Sequence, residues 1–185
     1  RCRWSCALRA WVNAFCAAIQ ALKTGGIILA DEVGLGKTIE AGLVLNYVLD
    51  NGAKKVLISL PATLRKQWEV ELLEKFGRQA VILDRYTVEH DLANVQTHLG
   101  NADEVSIVIA SYDYSSKLIK RFPHVKWDFL IIDEAHNLRN VFHGTKRAKN
   151  LYDLTHGIPK ILLTATPLQN SLTDLHGLVS FIDPR

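Results

Sequence analysis

Short apolar runs alternate with stretches of helical periodicity along most of the chain. Each apolar run spans three to six residues and ends at polar or turn-forming residues, which is typical of buried strands. The runs lie at residues 27–29, 56–60, 80–83, 105–110, 129–132 and 161–164. A helix predicted over residues 39–48 should stop near Asn51 and Gly52, a good C-terminal capping signal. Because alternating strands and helices require crossover connections, the pattern predicts an α/β fold with a mainly parallel sheet and helices on both faces.

The first 24 residues predict a helical segment ahead of one domain at residues 25–185. Three early arginines give this segment a superficial likeness to a signal peptide, but its apolar residues recur at helical spacing. These residues are Leu8, Trp11, Val12, Phe15, Ala18, Ile19 and Leu22. We therefore expect a packed amphipathic helix. No segment reaches the roughly 18 apolar residues that a membrane helix needs, so no membrane partner is expected.

Composition limits the class of protein without naming its partner. The chain has 185 residues, 48% hydrophobic and 22% charged, which suits one globular core and excludes a disordered chain. A formal net charge of +3 is too small to indicate nucleic-acid binding by itself. The cysteines Cys2, Cys6 and Cys16 lack the spacing and histidine companions of a zinc site, so we expect free thiols and a cytoplasmic protein.

Residues 30–38, with the sequence ADEVGLGKT, join the first apolar run to the first helical pattern. A strand, a glycine-containing loop, Lys-Thr and a helix occur in this order in phosphate-binding loops, where backbone N–H groups at a helix N-terminus meet an anion. Gly34 and Gly36 would let the main chain approach the phosphates, or would merely serve a tight turn. Lys37 would add a point charge for the β- and γ-phosphates. Asp31 departs from the general pattern, which has glycine there.

A pair of carboxylates follows the apolar run at residues 129–132. The run predicts a buried parallel strand, and α/β folds place their ligands at the carboxyl ends of such strands. Asp133 would hold Mg²⁺ and Glu134 would polarise the attacking water. The alternative is that the two acids only cap the next helix.

Three motifs together resemble those of the Swi/Snf-type helicase-like ATPases of helicase superfamily two. They are DEVGLGKT at residues 31–38, DEAH at residues 133–136 and LTATPLQN at residues 163–170. In that family aspartate normally replaces the first loop glycine, and the related DEAD-box RNA helicases have a shorter Ser-Ala-Thr motif in place of LTATPLQN. The loop sequence is most similar to bacterial members. The resemblance covers about residues 25–185 and implies the first RecA-like lobe of a two-lobe motor, with the second lobe absent from this chain.

The resemblance also implies which residues handle ATP and Mg²⁺. Glu134 and Lys37 would be catalytic, and Thr38 and Asp133 would hold Mg²⁺. Nucleotide contacts would come from Asp31, Glu32, Val33, Gly34, Leu35, Gly36, Lys37, Thr38 and Ile39. Residues that couple the phosphate state to nucleic acid would be His136, Thr164, Thr166 and Gln169. Because the arginine finger of the family comes from the second lobe, we expect this chain alone to bind ATP and hydrolyse it poorly.

The nucleic-acid face is expected from residues 61–68, PATLRKQW, and from a Ser-Tyr pair after the strand at residues 105–110. Possible phosphate partners there are Thr63, also a candidate helix N-cap, together with Arg65, Lys66, Ser111 and Tyr112. The helical stripe of Trp68, Leu72, Leu73 and Phe76 is interpreted as core. A basic cluster of Lys146, Arg147 and Lys149 is either a solvated helix face or a further DNA contact.

Three functions stay open at this stage. The first is an ATP-driven translocase on double-stranded DNA that remodels protein–nucleic acid complexes, which LTATPLQN favours. The second is a strand-separating helicase or restriction-type motor subunit, although no wedge element is recognisable. The third is a nucleotide-binding module without turnover of its own.

Overall fold

Six parallel strands form one sheet in the order β1-β6-β5-β2-β4-β3. The computed structural model describes residues 12, 16, 19–30, 37–139, 146–166 and 172–183. The strands are β1 (Gly26–Ala30), β2 (Lys55–Leu60), β3 (Val81–Ile82), β4 (Ser106–Ser111), β5 (Phe129–Ile132) and β6 (Lys160–Thr164). Each coincides with a predicted apolar run to within two residues at either end, because a strand buried on both faces is apolar throughout.

Seven helices with described bounds connect or flank these strands, and residues 19–24 are also helical. They are α1 (Lys37–Asp50), α2 (Arg65–Phe76), α3 (Arg85–His90), α4 (Leu92–Gly100), α5 (Tyr112–Arg121), α6 (Lys146–Thr155) and α7 (Leu172–Ser180). Two short 3₁₀ turns lie at Ala62–Leu64 and Ala135–Leu138. None of the helices in the described ranges is long and apolar enough to cross a membrane.

The core has two halves, one on each face of the sheet. On one face, α1 and α2 pack on strand residues such as Val56, Ile58 and Leu60. On the other face, the neighbouring Leu57 belongs to a cluster with the apolar residues of α3 to α7. Successive residues of β2 thus point to opposite faces, as a pleated strand requires. The predicted three-layer α/β architecture is confirmed.

Helix ends explain where the chain turns. Gly52 adopts φ +98° after α1, and its N–H donates to the carbonyl of Leu49 at 3.1 Å, so the predicted C-cap is confirmed. Gly177 in α7 has a different role. A Cβ there would lie 1.7 Å from the carbonyl oxygen of Arg139, so only glycine lets α7 approach the turn that follows the acid pair.

Two expectations about local structure were wrong. Thr63 is not a helix N-cap: it lies inside the 3₁₀ turn, Leu64 precedes α2, and no side chain caps that helix. Leu73 does not join Trp68 and Leu72 in the core but is 53% exposed. α2 packs through a narrower stripe than its apolar pattern predicts, because one side of the helix faces solvent.

The described part of the N-terminal helix packs through a different residue than expected. Val12 and Leu22 are 54% and 42% exposed, whereas Ala21 is completely buried against the face formed by α1 and α2. A small side chain allows the close approach that the larger apolar residues would prevent. Leu8, Trp11, Phe15 and Ala18 lie outside the described residues.

Two buried lysines mark the amino edge of the sheet. Lys55 Nζ donates to the carbonyls of His98 and Glu104, both at 2.9 Å, and to Ser106 Oγ at 2.8 Å. Burial lowers the pKa of Lys55 against the opposing effect of Glu104. Lys160 is 2% exposed, its Nζ donates to the carbonyl of Phe181 at 3.0 Å, and burial lowers its pKa to about 8. Both lysines therefore stabilise the packing of the fold, because their Nζ atoms donate to oxygens of the protein itself.

The buried ammonium of Lys160 should make stability depend on pH. Its pKa falls from 10.5 in the unfolded chain to about 8 in the fold, so the unfolded state holds more protons between these values. The penalty is complete below pH 8 and disappears as pH rises toward 10.5. Relative to Lys160→Met, the wild-type free energy of unfolding should therefore increase by about 2–3 kcal/mol from pH 7.5 to 10. Urea unfolding of both proteins across this range measures the difference, and a pH-independent difference would contradict the assignment.

Candidate functional site

The sheet topology brings the predicted ATP-site residues to one edge. β6 lies between β1 and β5, with Ala30 beside Thr164 and Ile132 beside Leu162. The parallel strands all point the same way, so their carboxyl ends share this edge. Lys37 begins α1 after the loop that leaves β1, and Asp133 follows β5 directly. The loop residues Asp31, Glu32, Val33, Gly34, Leu35 and Gly36 lie outside the described residues.

A cavity of about 400 Å³ opens where these elements meet. Lys37 and Thr38 line it from α1, Asp133 and Glu134 line it from the end of β5, and α2 closes it with side chains that include Trp68. Ile39 also lines it and is 43% exposed. The structure thus brings together the two halves of the site that the sequence placed about a hundred residues apart.

Asp133 is almost completely buried, at 7% exposed, and both of its oxygens accept hydrogen bonds. Trp68 Nε1 donates to Oδ2 at 2.8 Å, and the backbone N–H of Glu134 donates to Oδ1 at 2.8 Å. Burial raises the pKa of Asp133, an effect opposed by these two donors and by the nearby charge of Lys37. Trp68 is core, as predicted, but its indole N–H also holds the acid in place.

Glu134 has an unusual backbone conformation. Its φ of 50° and ψ of 43° lie in the left-handed region, and no other non-glycine residue in the described part of the chain has positive φ. Glu134 lines the cavity, and its Oε2 lies 3.2 Å from His136 Nδ1. The contact is within ion-pair distance but outside hydrogen-bond geometry. His136, a predicted coupling residue, therefore neighbours the predicted catalytic carboxylate.

Tyr112 does not point where the sequence suggested. It is 3% exposed, and its hydroxyl donates to the carbonyl of Asp133 and lies 3.1 Å from that of Glu134. A hydroxyl so enclosed cannot donate to a nucleic-acid phosphate without leaving these carbonyls. Ser111 instead caps α5 by accepting from the backbone N–H of Tyr114 at 3.4 Å. Both hydroxyls predicted to face phosphate are thus engaged within the protein.

The other predicted coupling residues are partly described. Thr164 is completely buried at the end of β6, and its hydroxyl accepts from the backbone N–H of Thr166 at 3.2 Å. Thr166 is exposed. This local hydrogen bond gives the chain a fixed exit from the strand at the edge that carries Asp133. Gln169 lies outside the described residues.

The basic residues predicted to meet phosphate at residues 61–68 are already paired. Arg65 Nη1 lies 3.1 Å from Asp84 Oδ2, and its Nε donates to the carbonyl of Ala62 at 3.1 Å. Lys66 is highly exposed and contacts Glu69 one helical turn away. Of the two, only Lys66 combines exposure with an easily broken pairing, because a surface ion pair contributes about 0–1 kcal/mol.

A basic groove lies between α5 and α6, and the sequence predicted only half of its cations. They are Lys117 and Lys120 of α5 with Lys146 and Arg147 of α6. The groove encloses about 260 Å³ and includes the single carboxylate of Asp113, which lies 2.8 Å from Arg147 Nε. Lys146 and Arg147 belonged to the predicted basic cluster. Lys117 and Lys120 could have been found from their spacing of three on one helix, but only the packing of α5 against α6 shows that four cations share one groove.

The residues around the cavity suit Mg²⁺ and a triphosphate. The side-chain oxygens of Thr38 and Asp133 are hard ligands, and Mg²⁺ prefers one or two such protein ligands together with phosphate and water. Both Asp133 oxygens already accept one hydrogen bond, which leaves lone pairs for contacts through water. In the described ranges, this cavity included, no group of three or more histidines, cysteines, aspartates or glutamates is placed to hold a metal ion.

Comparison with known proteins agrees with this geometry. Residues 10–185 match the SNF2-related domain family. A curated relative, the "Uncharacterized ATP-dependent helicase YqhH" of Bacillus subtilis (strain 168), is 41% identical over 170 residues, which cover 86% of this chain and 26% of the relative. A solved structure, the "Sulfolobus solfataricus SWI2/SNF2 ATPase core in complex with dsDNA", has a TM-score of 0.73 at 24% identity and covers 93% of this chain and 34% of its own. The RecA-like fold class is thereby confirmed, and the chain spans about a third or less of these relatives.

The hydrogen bond from Trp68 to Asp133 should contribute measurably to the free energy of unfolding. Trp68→Phe removes the donor from a buried carboxylate, and hydrogen bonds to charged groups contribute about 1.5–3 kcal/mol. Trp127→Phe is the matched control, because Trp127 is 6% exposed and its indole N–H meets no acceptor among the described residues. In urea unfolding at pH 7, Trp68→Phe should lower the free energy of unfolding by about 1.5–3 kcal/mol more than Trp127→Phe does. Equal losses would mean that only ring packing matters at residue 68.

Proposed function

The chain belongs to the SNF2-related domain family, and on this premise we propose that it is the ATP-binding lobe of a nucleic-acid-dependent ATPase that translocates on double-stranded DNA. The observation that carries the proposal is the meeting of Lys37 and Thr38 with Asp133 and Glu134 around one cavity at the carboxyl edge of the sheet. The remodelling of protein–nucleic acid complexes is the proposed outcome of translocation. Cys16 is an exposed free thiol, which suits the cytoplasmic location that we propose.

In the proposed mechanism each residue type has a distinct task. Lys37 places a positive charge beside the β- and γ-phosphates, at the positive end of α1. Mg²⁺, when bound near Thr38 and Asp133, would supply further neutralisation of the phosphate charge. Glu134 accepts a proton from the attacking water and aligns it for in-line attack, and the buried surroundings of Asp133 strengthen the electrostatic contribution.

The lobe needs a further group for rapid turnover. No arginine is among the described residues that line the cavity. We propose that an arginine finger comes from a second RecA-like lobe, as in the family that the motifs resemble. An arginine finger contributes about 10³–10⁵ in rate, so this chain by itself should bind ATP and turn it over slowly.

DNA contact is proposed at the basic groove of α5 and α6, with Lys66 and Thr63 as further contacts. Four cations and one carboxylate around a volume of about 260 Å³ give a local positive charge that the whole-chain value of +3 does not reveal. α5 begins directly after the carboxyl end of β4, at the edge of the sheet that carries the ATP cavity. The solved structure that this fold matches holds double-stranded DNA, which supports the same class of partner here.

Binding and turnover should separate when the ATP-site residues are changed in the full-length protein. Glu134→Gln keeps the shape of the side chain but cannot accept a proton, so ATP affinity should persist while turnover falls by about 10² or more. Lys37→Ala should abolish tight ATP binding because it removes the charge that meets the phosphates. Calorimetry measures affinity and a DNA-stimulated ATPase assay measures turnover. Normal turnover by Glu134→Gln, or unchanged affinity of Lys37→Ala, would refute the assigned roles.

The basic groove should set the salt dependence of DNA binding. Each phosphate neutralised contributes about −0.9 to the slope of log K against log salt concentration, so Lys117→Ala/Lys120→Ala should flatten the slope by up to about 1.8. A phosphate-directed surface should also bind two unrelated duplexes equally. Fluorescence anisotropy across a salt series measures both properties.

The matched control for the groove is Lys23→Ala/Lys54→Ala. It removes two exposed lysines at the amino edge of the sheet and should leave the slope unchanged. Arg65→Ala/Lys66→Ala should flatten the slope by less than the groove variant, because Arg65 is paired with Asp84. If the groove variant keeps the wild-type slope, its lysines belong to a solvated helix face.

A further inference from the structure

The acid pair is held in a conformation that its own sequence does not favour. Glu134 lies in the left-handed region, which a residue with a Cβ rarely adopts without outside support. Such conformations persist where neighbouring groups determine them, and they cluster at functional sites. The supporting contacts around Glu134 therefore decide how its carboxylate enters the cavity.

Two elements supply those contacts. Within the turn, the backbone N–H and the side-chain Nδ2 of Asn137 both donate to the carbonyl of Glu134 at 3.0 Å. From α5, the hydroxyl of Tyr112 donates to the carbonyl of Asp133 and lies 3.1 Å from that of Glu134. Tyr112 is the more distant in sequence, yet within the described ranges it is the one side chain that contacts both carbonyls and thereby both peptide units that flank Glu134.

We propose that Tyr112 is a positioning residue for ATP hydrolysis. Its buried hydroxyl holds the two peptide units that flank Glu134, and thereby keeps Glu134 in the left-handed conformation that directs its carboxylate into the ATP cavity. Tyr112 is not among the described residues that line the ATP cavity, and it acts through these two carbonyls. The role replaces the phosphate contact that the sequence suggested for this residue, and it rests on the proposed function of the site.

The position of Tyr112 also connects the acid pair to the basic groove. Tyr112 is the first residue of α5, and Asp113, the next residue, pairs with Arg147 across the groove at 2.8 Å. A phosphate in the groove would compete with Asp113 for Arg147, at the same end of the helix that holds the acid pair. The groove and the acid pair are thus both contacted by the first two residues of α5.

The test is Tyr112→Phe, which removes one oxygen and keeps the ring in the core. Tyr114→Phe is the control, because Tyr114 lies on the same helix and packs against the same core cluster. In the full-length protein with duplex DNA, Tyr112→Phe should lower kcat about 10- to 100-fold while Kd for ATP, measured by calorimetry, stays within about twofold. Hydrogen–deuterium exchange in residues 133–138 should be faster in this variant alone.

The outcomes separate the two proposals. Wild-type kcat in Tyr112→Phe, or wild-type exchange in residues 133–138, would overturn the positioning role. A weakened Kd that matches the loss in kcat would also overturn it, by showing a general structural defect. If the wild type itself lacks ATPase activity, the proposed function fails, and the exchange rates alone decide whether Tyr112 holds the pair.

Discussion

A carboxylate buried from water must be held by donors from the protein, and at Asp133 this constraint organises the carboxyl edge of the sheet. The indole N–H of Trp68 and the backbone N–H of Glu134 each donate to one oxygen of Asp133. The carboxylate therefore connects α2 to the turn after β5. Since each oxygen has a donor at 2.8 Å, the carboxylate has one orientation toward the cavity. The hydroxyl of Tyr112 completes the arrangement from α5.

Polar groups are divided between the two edges of the sheet according to their role. At the carboxyl edge, Lys37 and the acid pair face a cavity, where a ligand can meet them. At the amino edge, Lys55 and Lys160 are buried against carbonyl oxygens, and burial lowers the pKa of both. A parallel sheet permits this division because all of its strand ends of one kind lie together. Charged groups at the carboxyl edge can contact a ligand in the cavity, while the buried lysines at the amino edge only donate to oxygens of the protein.

Positive charge is concentrated in one groove, although the net charge of the chain is small. The groove between α5 and α6 gathers four cations from two helices, although the whole chain has a formal net charge of only +3. Arg65 shows the opposite case, because a cation in a promising sequence motif is engaged by Asp84. A motif predicts which residue types are present near a face, but pairing decides whether their charge reaches a ligand.

The sequence by itself determined the elements and the site's composition. Six apolar runs became six strands because burial on both faces requires continuous apolar residues, and the spacing of Lys37 and Asp133 from their strand ends placed both at the ligand edge. Side-chain direction is a different matter, since it depends on contacts between residues far apart in the chain. Trp68 is 65 residues from the carboxylate that it holds, and Tyr112 turns inward to carbonyls 21 and 22 residues away. Only the tertiary structure decided these contacts, because no local pattern records which helix will pack beside which strand end.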